Sequence, residues 1–167
     1  MEKKKITIED IKNLDDSWDI VEPICWEINI YDSYKDYIKS AKNFSLEQRY
    51  LHAILGYFGE VNNGGHHQFF YNSTGIVWED ALNGLKHFGM PEFADNFQKV
   101  IDYCGGTISF DREKRYRMLE TLEEKYGEEF LKFLDEADKF IYKYDGEENE
   151  LNYIKSNPEK FVFEGEY

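Results

Sequence analysis

Apolar residues recur every three or four positions along most of the chain, which is the period of an amphipathic α-helix. The segment 15–30 shows this spacing, with Pro23 as a point where a helix kinks or breaks. Its predicted buried positions are Trp18, Val21, Ile24, Cys25 and Ile28. The same period predicts further helices over 31–42, 45–61, 66–71, 78–88, 91–103, 111–126, 129–144 and 147–156.

Local signals mark where several of these helices begin and end. Ser45 followed by Gln48 forms a capping-box pattern, and Pro91 stands at a favoured first-turn position. The run 62–65 ends a helix, because asparagine and glycine tolerate the left-handed conformation. Only two short segments, 107–110 and 161–163, resemble strands. We therefore predict an all-α fold, a single irregular bundle of roughly eight helices.

No segment resembles a linker between domains. The chain has no stretch rich in proline, glycine or serine and no internal repeat. A chain of this length buries about two thirds of its unfolded surface, and its 17% of aromatic residues predicts a packed core rather than disorder. We predict that residues 1–167 form one domain.

The chain is strongly acidic, with 34 acidic and 20 basic residues and a formal net charge of −14. A surface of this sign repels phosphate groups, which argues against direct nucleic-acid binding, and it attracts basic proteins. The alternative is that the acidity serves solubility alone. The excess is concentrated towards the C-terminus, because residues 119–167 hold 15 acidic and 6 basic residues.

Carboxylates on successive turns of the C-terminal helices could imitate the spaced negative charges of a DNA duplex. The alternative for this charge run is a solvated helix face. The candidate partner-binding residues are Glu123, Glu124, Glu128, Glu129, Asp135, Glu136, Glu147, Glu148 and Glu150. The expected partner is a basic protein such as a DNA-binding protein, with no nucleic acid or membrane bound directly, and the chain is expected to be a monomer or homodimer.

The most distinctive segment is 60–73, where a tight polar turn precedes three consecutive aromatic residues. We call its defining positions the corner residues: Asn62, Asn63, Gly64, Gly65, Gln68, Phe69 and Phe70. One interpretation is a ligand pocket. The other, which the need to bury the aromatic rings favours, is a helix–turn–helix corner packed into the core.

The remaining chemistry-bearing residues form no recognisable catalytic signature. His52, His66 and His67 lack the helical spacing of a zinc site, so we expect core or surface histidines and no metal or cofactor. The basic run 112–117 is interrupted by Glu113, and we expect it to pair with the acidic helices. Catalytic serine, phosphate-loop and dinucleotide-binding motifs are absent from the sequence.

Cys25 and Cys104 are far apart and lie in apolar helical patterns, which is typical of buried free thiols in a reducing compartment. The N-terminal residues are basic but lack the apolar run of a signal peptide. No apolar run approaches the roughly 20 residues that a bilayer-spanning helix needs. A cytoplasmic location is therefore expected.

Four stretches of the sequence resemble the bacterial DNA-mimic protein domain family. They are EVNNGGHHQFFYNSTG, EDALNGLKHFGMPEFADNFQKVIDYCGG, FDREKRYRMLE and LDEADKFIYKYDGEENELNYIKSNPEKF, and the resemblance spans about residues 24–163. The family pattern contains an N-N-G-G-x-x-Q-[FY]-[FY] corner, a glycine after an apolar helix end, and an Asp-Arg stretch before an acidic C-terminal half. The matching positions are the corner residues, Phe88, Gly89, Asp111, Arg112 and Arg115.

This resemblance implies an all-helical fold and, as in the founding member of the family, an acidic surface that imitates double-stranded DNA and engages a DNA-binding transcription factor. The corner residues carry over position by position and imply a structural role. Individual mimic carboxylates do not carry over, because surface charges follow no motif.

Three hypotheses follow for the function. The first is an acidic domain that competitively binds a basic DNA-binding protein by imitating double-stranded DNA. The second is an immunity-type inhibitor of a basic nuclease toxin. The third is a small-ligand or metal-dependent enzyme with a site near the corner residues, which requires a deep polar cleft there.

Overall fold

Helices form most of the chain, as the apolar period predicts. The computed structural model describes residues 3–144 and 148–166. Within them the helices are α1 (Ile8–Lys12), α2 (Trp18–Glu27), α3 (Tyr34–Ala41), α4 (Leu46–Tyr71), α5 (Trp78–His87), α6 (Pro91–Tyr103), α7 (Arg112–Tyr126), α8 (Glu128–Ile141) and α9 (Glu148–Ser156). Short 3-10 helices lie at Ser73–Val77 and Pro158–Lys160, and the strands are β1 (Lys3–Ile6) and β2 (Phe163–Glu166). The predicted all-α bundle is confirmed.

The long helix α4 forms the centre of the bundle and contacts α2, α5, α7 and α8. It begins at the predicted capping box, in which Ser45 Oγ accepts from the Gln48 backbone N–H and Gln48 Oε1 accepts from the Ser45 N–H. The side chains of Leu51, Ile54 and Tyr57 are fully buried along its length. Every neighbouring helix is therefore positioned by its packing on α4.

Helix α2 covers one side of α4 with a narrower apolar face than the sequence predicts. Ile20, Val21 and Ile24 are buried, and Pro23 lies inside the helix without ending it. The predicted burial of Trp18 and Cys25 is wrong: the Trp18 side chain is 51% exposed and Cys25 lies at the surface. Both residues lie at the edge of the buried face of α2 and remain outside the core.

A two-stranded antiparallel sheet joins the two ends of the described chain, with Ile6 opposite Phe163. The predicted strand at 161–163 is displaced to Phe163–Glu166, and the predicted strand at 107–110 does not form. Strand β1 has no alternating apolar pattern, since Ile6, which is buried, follows three lysines. Its conformation is set by pairing with a distant segment, which no local pattern records.

A buried polar cluster ties α3, α4 and α5 together. Asp80 accepts hydrogen bonds from the Tyr37 hydroxyl at 2.5 Å and from Arg49 Nη2 at 2.9 Å. Burial and the adjacent Asp80 carboxylate raise the pKa of Tyr37, so its hydroxyl stays a donor. Asp80 thereby has a partner for each of its two buried carboxylate oxygens.

Across the described residues, no helix combines the length and the apolar character required to cross a bilayer.

Candidate functional site

The corner residues interrupt the regular helical geometry of α4 but do not end the helix. Gly64 and Gly65 have non-helical backbone angles, and the φ of Gly65 is +76° with ψ near 179°. That conformation is essentially restricted to glycine. A Cβ atom at Gly65 would also lie 2.2 Å from Asp138 Oδ2, so α8 approaches the corner too closely for any side chain.

His66 connects the corner to the core through both of its ring nitrogens. Asp138 Oδ1 accepts from the His66 backbone N–H at 2.8 Å and lies 2.5 Å from Nδ1. On the other side, Nε2 lies 2.7 Å from the Tyr57 hydroxyl. Burial raises the pKa of Tyr57 well above its ordinary value, so its hydroxyl keeps its proton. The Asp138 carboxylate, which can only accept, accepts from Nδ1. Asp138 thereby caps the helical turn that follows Gly65.

Glu60 organises the polar side of the corner. One carboxylate oxygen accepts from Gln68 Nε2 at 2.7 Å and from Asn72 Nδ2 at 2.9 Å, and the other accepts from Thr74 Oγ1 at 2.7 Å. Asn63 Nδ2 donates to Gln68 Oε1 at 3.2 Å. These polar groups bind one another, while Phe69 and Phe70 are fully buried and Asn62 and Gly64 are exposed. The arrangement favours the structural interpretation of the corner.

Arg115 is a key residue whose role the sequence does not reveal. The expected pairing of the basic run with acidic helices is wrong for Arg115, which is 1% exposed and binds backbone carbonyls instead. Its nitrogens donate to the carbonyls of Phe70 at 2.8 Å, Asn72 at 2.9 Å and Phe110 at 2.9 Å. Arg112 adds a bond to the Tyr71 carbonyl at 2.9 Å. Both guanidinium groups thus lie at the negative end of α4.

The histidines and cysteines lie in separate surroundings. His67, next to the buried His66, is half-exposed and pairs with Glu123 at 2.8 Å. Among the described residues, no group of three His, Cys, Asp or Glu side chains is arranged to hold a metal ion. Burial raises the pKa of Cys104 to about 12. Partial desolvation and the nearby Glu22 carboxylate raise the pKa of Cys25, at the surface edge of α2, to about 11, so both remain thiols at neutral pH.

The candidate carboxylates of the C-terminal helices occupy three different environments. Glu123 is half-buried against His67, and Glu147 lies outside the described residues. Glu150 is fully buried and accepts a hydrogen bond from the Tyr144 hydroxyl, so its assignment to a partner-facing surface is corrected. The exposed members are Glu124, Glu128, Glu129, Asp135, Glu136 and Glu148.

The hairpin formed by α7 and α8 is uneven in charge. Helix α7 begins with basic residues and carries four acidic and five basic residues in all. The segment 120–129, which includes the turn at Gly127, holds five acidic residues and one basic residue. We call this segment the hairpin tip. The acidity of the C-terminal half is therefore concentrated at the tip rather than along both helices.

A second acidic region lies near the N-terminus, where the sequence analysis had not placed one. Residues 8–36 contain nine acidic and two basic residues. Aromatic side chains are exposed in the same region, with Trp26 at 73% and Tyr31 at 79%. Basic residues elsewhere in the first 118 positions offset this region, since those positions hold 19 acidic and 14 basic residues in all.

A family model described as DMP19-like protein matches residues 42–157, which is more than two thirds of the chain. The chain belongs to the DMP19-like protein family. DMP19 denotes DNA mimic protein 19, so at the family level this is a domain of DNA-mimic type, and the family is not known as an enzyme family. No curated protein and no solved structure matches the chain significantly.

The matched segment contains all the features that build the corner of this DMP19-like chain. It includes α4 with Gly65 and His66, Asp138 on α8, and Arg115 on α7. Helix α2, with its exposed aromatic residues, precedes the matched segment. The corner therefore belongs to the shared family fold, whereas the surface of α2 lies outside the match.

Proposed function

We propose that this DMP19-like chain binds a basic DNA-binding protein and competes with DNA for it. The observation that carries the proposal is the hairpin tip of a DNA-mimic type domain, where carboxylates at the end of α7 and the start of α8, two helices in contact, are exposed. The partner's lysine and arginine side chains, which otherwise contact phosphates, would bind these carboxylates. A cytoplasmic location and a basic partner are parts of the same proposal.

The geometry of paired helices supports this role. Carboxylates one turn apart, such as those of Glu120 and Glu124, are separated by about 6 Å along the helix axis. Glu128 and Glu129 of α8 follow directly across the turn. Two neighbouring helices therefore place charges at a density that approaches the one charge per about 3.4 Å of a DNA strand.

Not every carboxylate at the tip and along α8 is equally available. Glu123 is paired with His67, and Asp135 forms an ion pair with Lys139 at 2.5 Å. The most available candidates for partner contact are Glu124, Glu128, Glu129 and Glu136. Because these groups are exposed, their contribution to affinity is expected to come with fast association and a strong dependence on salt.

The first experiment retains proteins from a source-cell lysate on the immobilised chain at low salt and elutes them with duplex DNA. We expect a discrete DNA-binding protein in the eluate. A nuclease in its place would support the immunity-type alternative, and a set identical to that on a charge-matched acidic control protein would contradict specific mimicry.

The second experiment measures the affinity of the identified partner for two charge-matched variants. In the tip variant, three residues of the hairpin tip, Glu124, Glu128 and Glu129, are replaced by glutamine together with Glu136, which lies further along α8. In the control variant, E79Q, E92Q, D95N and E159Q remove four exposed charges elsewhere. We expect the tip variant to lose at least about tenfold in affinity and the control to lose much less. Equal losses would show that only net charge matters.

A further inference from the structure

A groove of about 590 Å³ runs along α4 on the side that faces α2. One wall comes from α2 and the residues after it, including Trp18 and Tyr31. The other comes from a single stripe of α4 that contains His52, Gly56 and Gly59. A Cβ atom at Gly59 would meet nothing within 4 Å, so the glycine leaves this part of the groove open. The volume lies within the usual range for binding clefts, roughly 300–1,000 Å³.

One end of the groove carries an unneutralised negative charge. Glu60 lines it and accepts hydrogen bonds from Gln68, Asn72 and Thr74, all of which are neutral donors. Within the described residues, Glu60 has no ion pair, and the groove lining contains no lysine or arginine. A half-buried carboxylate in these surroundings favours a cation as its additional partner.

The mouth of the groove is aromatic. The Trp18 side chain is 51% exposed and that of Tyr31 is 79% exposed, and both line the groove. A neighbouring hollow shares these two residues and adds three acidic side chains, Glu27, Asp32 and Glu22, the last of which pairs with Lys4. Aromatic faces attract cations, and the effect strengthens where the cation is partly removed from water.

A buried polar nitrogen also lines the groove. His52 lines the groove and is only 8% exposed. Among the described residues, its Nδ1 has no hydrogen-bond partner. Buried polar atoms in native proteins nearly always have a partner, so an unsatisfied one requires an explanation. His52 lies about 12 Å from Glu60 along α4, so this nitrogen belongs to the opposite end of the groove.

We propose that this groove binds an arginine side chain of the partner protein, with the guanidinium group at Glu60 and the side chain packed against Trp18 and Tyr31. Arginine fits better than lysine because its planar group stacks on aromatic rings and carries five N–H donors in a fixed arrangement. The inference rests on the proposed function in that the partner is a basic protein. It adds a specific contact for which Glu60 lies within the family match, whereas Trp18 and Tyr31 precede it.

The test uses Nα-acetyl-arginine methylamide as the probe and the intact chain labelled with nitrogen-15. We expect saturable shifts of the Trp18 indole resonance and of the Asn63 and Gln68 side-chain amides at millimolar probe concentrations. The citrulline analogue has the same shape but no charge, and it should bind at least tenfold more weakly. Equal binding of the two probes, or no binding of the arginine probe, would overturn the proposal.

Variants identify the groove as the binding site. Trp18→Ala should weaken the binding at least fivefold, whereas Trp26→Ala should not, since Trp26 lies in the neighbouring hollow and does not line the groove. Glu60→Gln keeps the size of the side chain and should abolish binding, with circular dichroism used to verify folding. Unchanged affinity in both Trp18→Ala and Glu60→Gln would refute the assignment.

This test is independent of the hairpin tip. The probe contains neither DNA nor a DNA-binding protein, so the groove can fail to bind it while duplex DNA still releases a partner from the immobilised chain. Conversely, a functional groove with no release by duplex DNA would leave arginine recognition standing and reject mimicry.

Discussion

Glycine is required at position 65 for two reasons, its own backbone conformation and the close approach of a side chain from another helix. Its positive φ suits glycine, and its missing Cβ leaves space for the Asp138 carboxylate. That carboxylate in turn binds the backbone and the ring of His66. A substitution at Gly65 therefore affects the backbone and the attachment of α8 together.

We expect Gly65→Ala to lower the free energy of unfolding by about 2–4 kcal/mol, because the backbone strain and the displacement of Asp138 add together. Urea denaturation measures the change. The matched control is Gly59→Ala, where the helix has free space for a methyl group and should gain about 0.5–1 kcal/mol. A loss at position 65 no larger than the change at position 59 would contradict the role given to Gly65.

His52 makes the stability depend on pH. Burial lowers its pKa from 6.5 to about 4, so below pH 6.5 the unfolded chain takes up a proton that the folded chain does not. Stability is therefore complete above pH 6.5 and falls as the pH decreases towards 4. At pH 5 the loss amounts to about 2 kcal/mol.

The measurement compares urea unfolding at pH 7.5 and pH 5 for the wild type and for His52→Asn. The variant has no titrating group at this position, so its stability should fall by about 2 kcal/mol less than that of the wild type. Parallel losses in the two proteins would show that His52 does not contribute to the acid sensitivity.

At the scale of elements, the end of α4 depends on α7. The last carbonyl groups of a helix have no partner within it, and here Arg115 and Arg112 supply donors from a helix some 40 residues later in the chain. Burial lowers the pKa of Arg115 to about 10, which still leaves it charged at neutral pH. A cation at a helix C-terminus also interacts favourably with the helix dipole.

We expect Arg115→Met to destabilise the protein by about 3–5 kcal/mol, because several buried carbonyls lose their donor at once. Arg115→Lys should recover only part of this loss, since a lysine cannot reach carbonyls in the same branched arrangement. The exposed Arg117→Met serves as the control and should change stability by less than about 0.5 kcal/mol. A different order of stability among the three variants in thermal or urea unfolding would contradict the role given to Arg115.

At the scale of the whole molecule, the net charge of −14 acts on stability as well as on binding. Like charges repel one another across the folded surface and favour the expanded chain. Salt weakens that repulsion, because the Debye length falls from about 30 Å at 0.01 M to about 3 Å at 1 M.

We expect the melting temperature to rise when sodium chloride is increased from about 0.01 M to about 1 M. The tip variant and its control variant each carry four fewer negative charges, so both should show a smaller rise. Scanning calorimetry of the three proteins provides the comparison. A melting temperature that falls with salt would show that attractive ion pairs outweigh the repulsion. The two variants should match in this measurement and differ in partner binding.

The helical elements could be read from the sequence because their signals are local. The period of apolar residues, the capping box at Ser45 and Gln48, and the turn at the corner residues each involve positions within a few residues of one another. Helix boundaries agree to within a few residues except in the N-terminal part, where α1 and β1 were not predicted. The acidic excess towards the C-terminus and the family resemblance could also be recognised from the sequence, because the first follows from composition and the second from motifs.

The candidate site was harder to predict from the sequence, because its geometry joins residues that are distant in the chain. Asp138 binds His66, which lies 72 positions earlier in the chain, and Arg115 binds Phe70, which lies 45 positions earlier. Ile6 pairs with Phe163 near the other end of the chain. Glu150 looks like its exposed neighbours in the sequence and becomes buried only because Tyr144 and the packed core enclose it. Local patterns determine which segments become helices; packing between those helices decides which polar groups are satisfied, which carboxylates remain at the surface, and where a groove is left open.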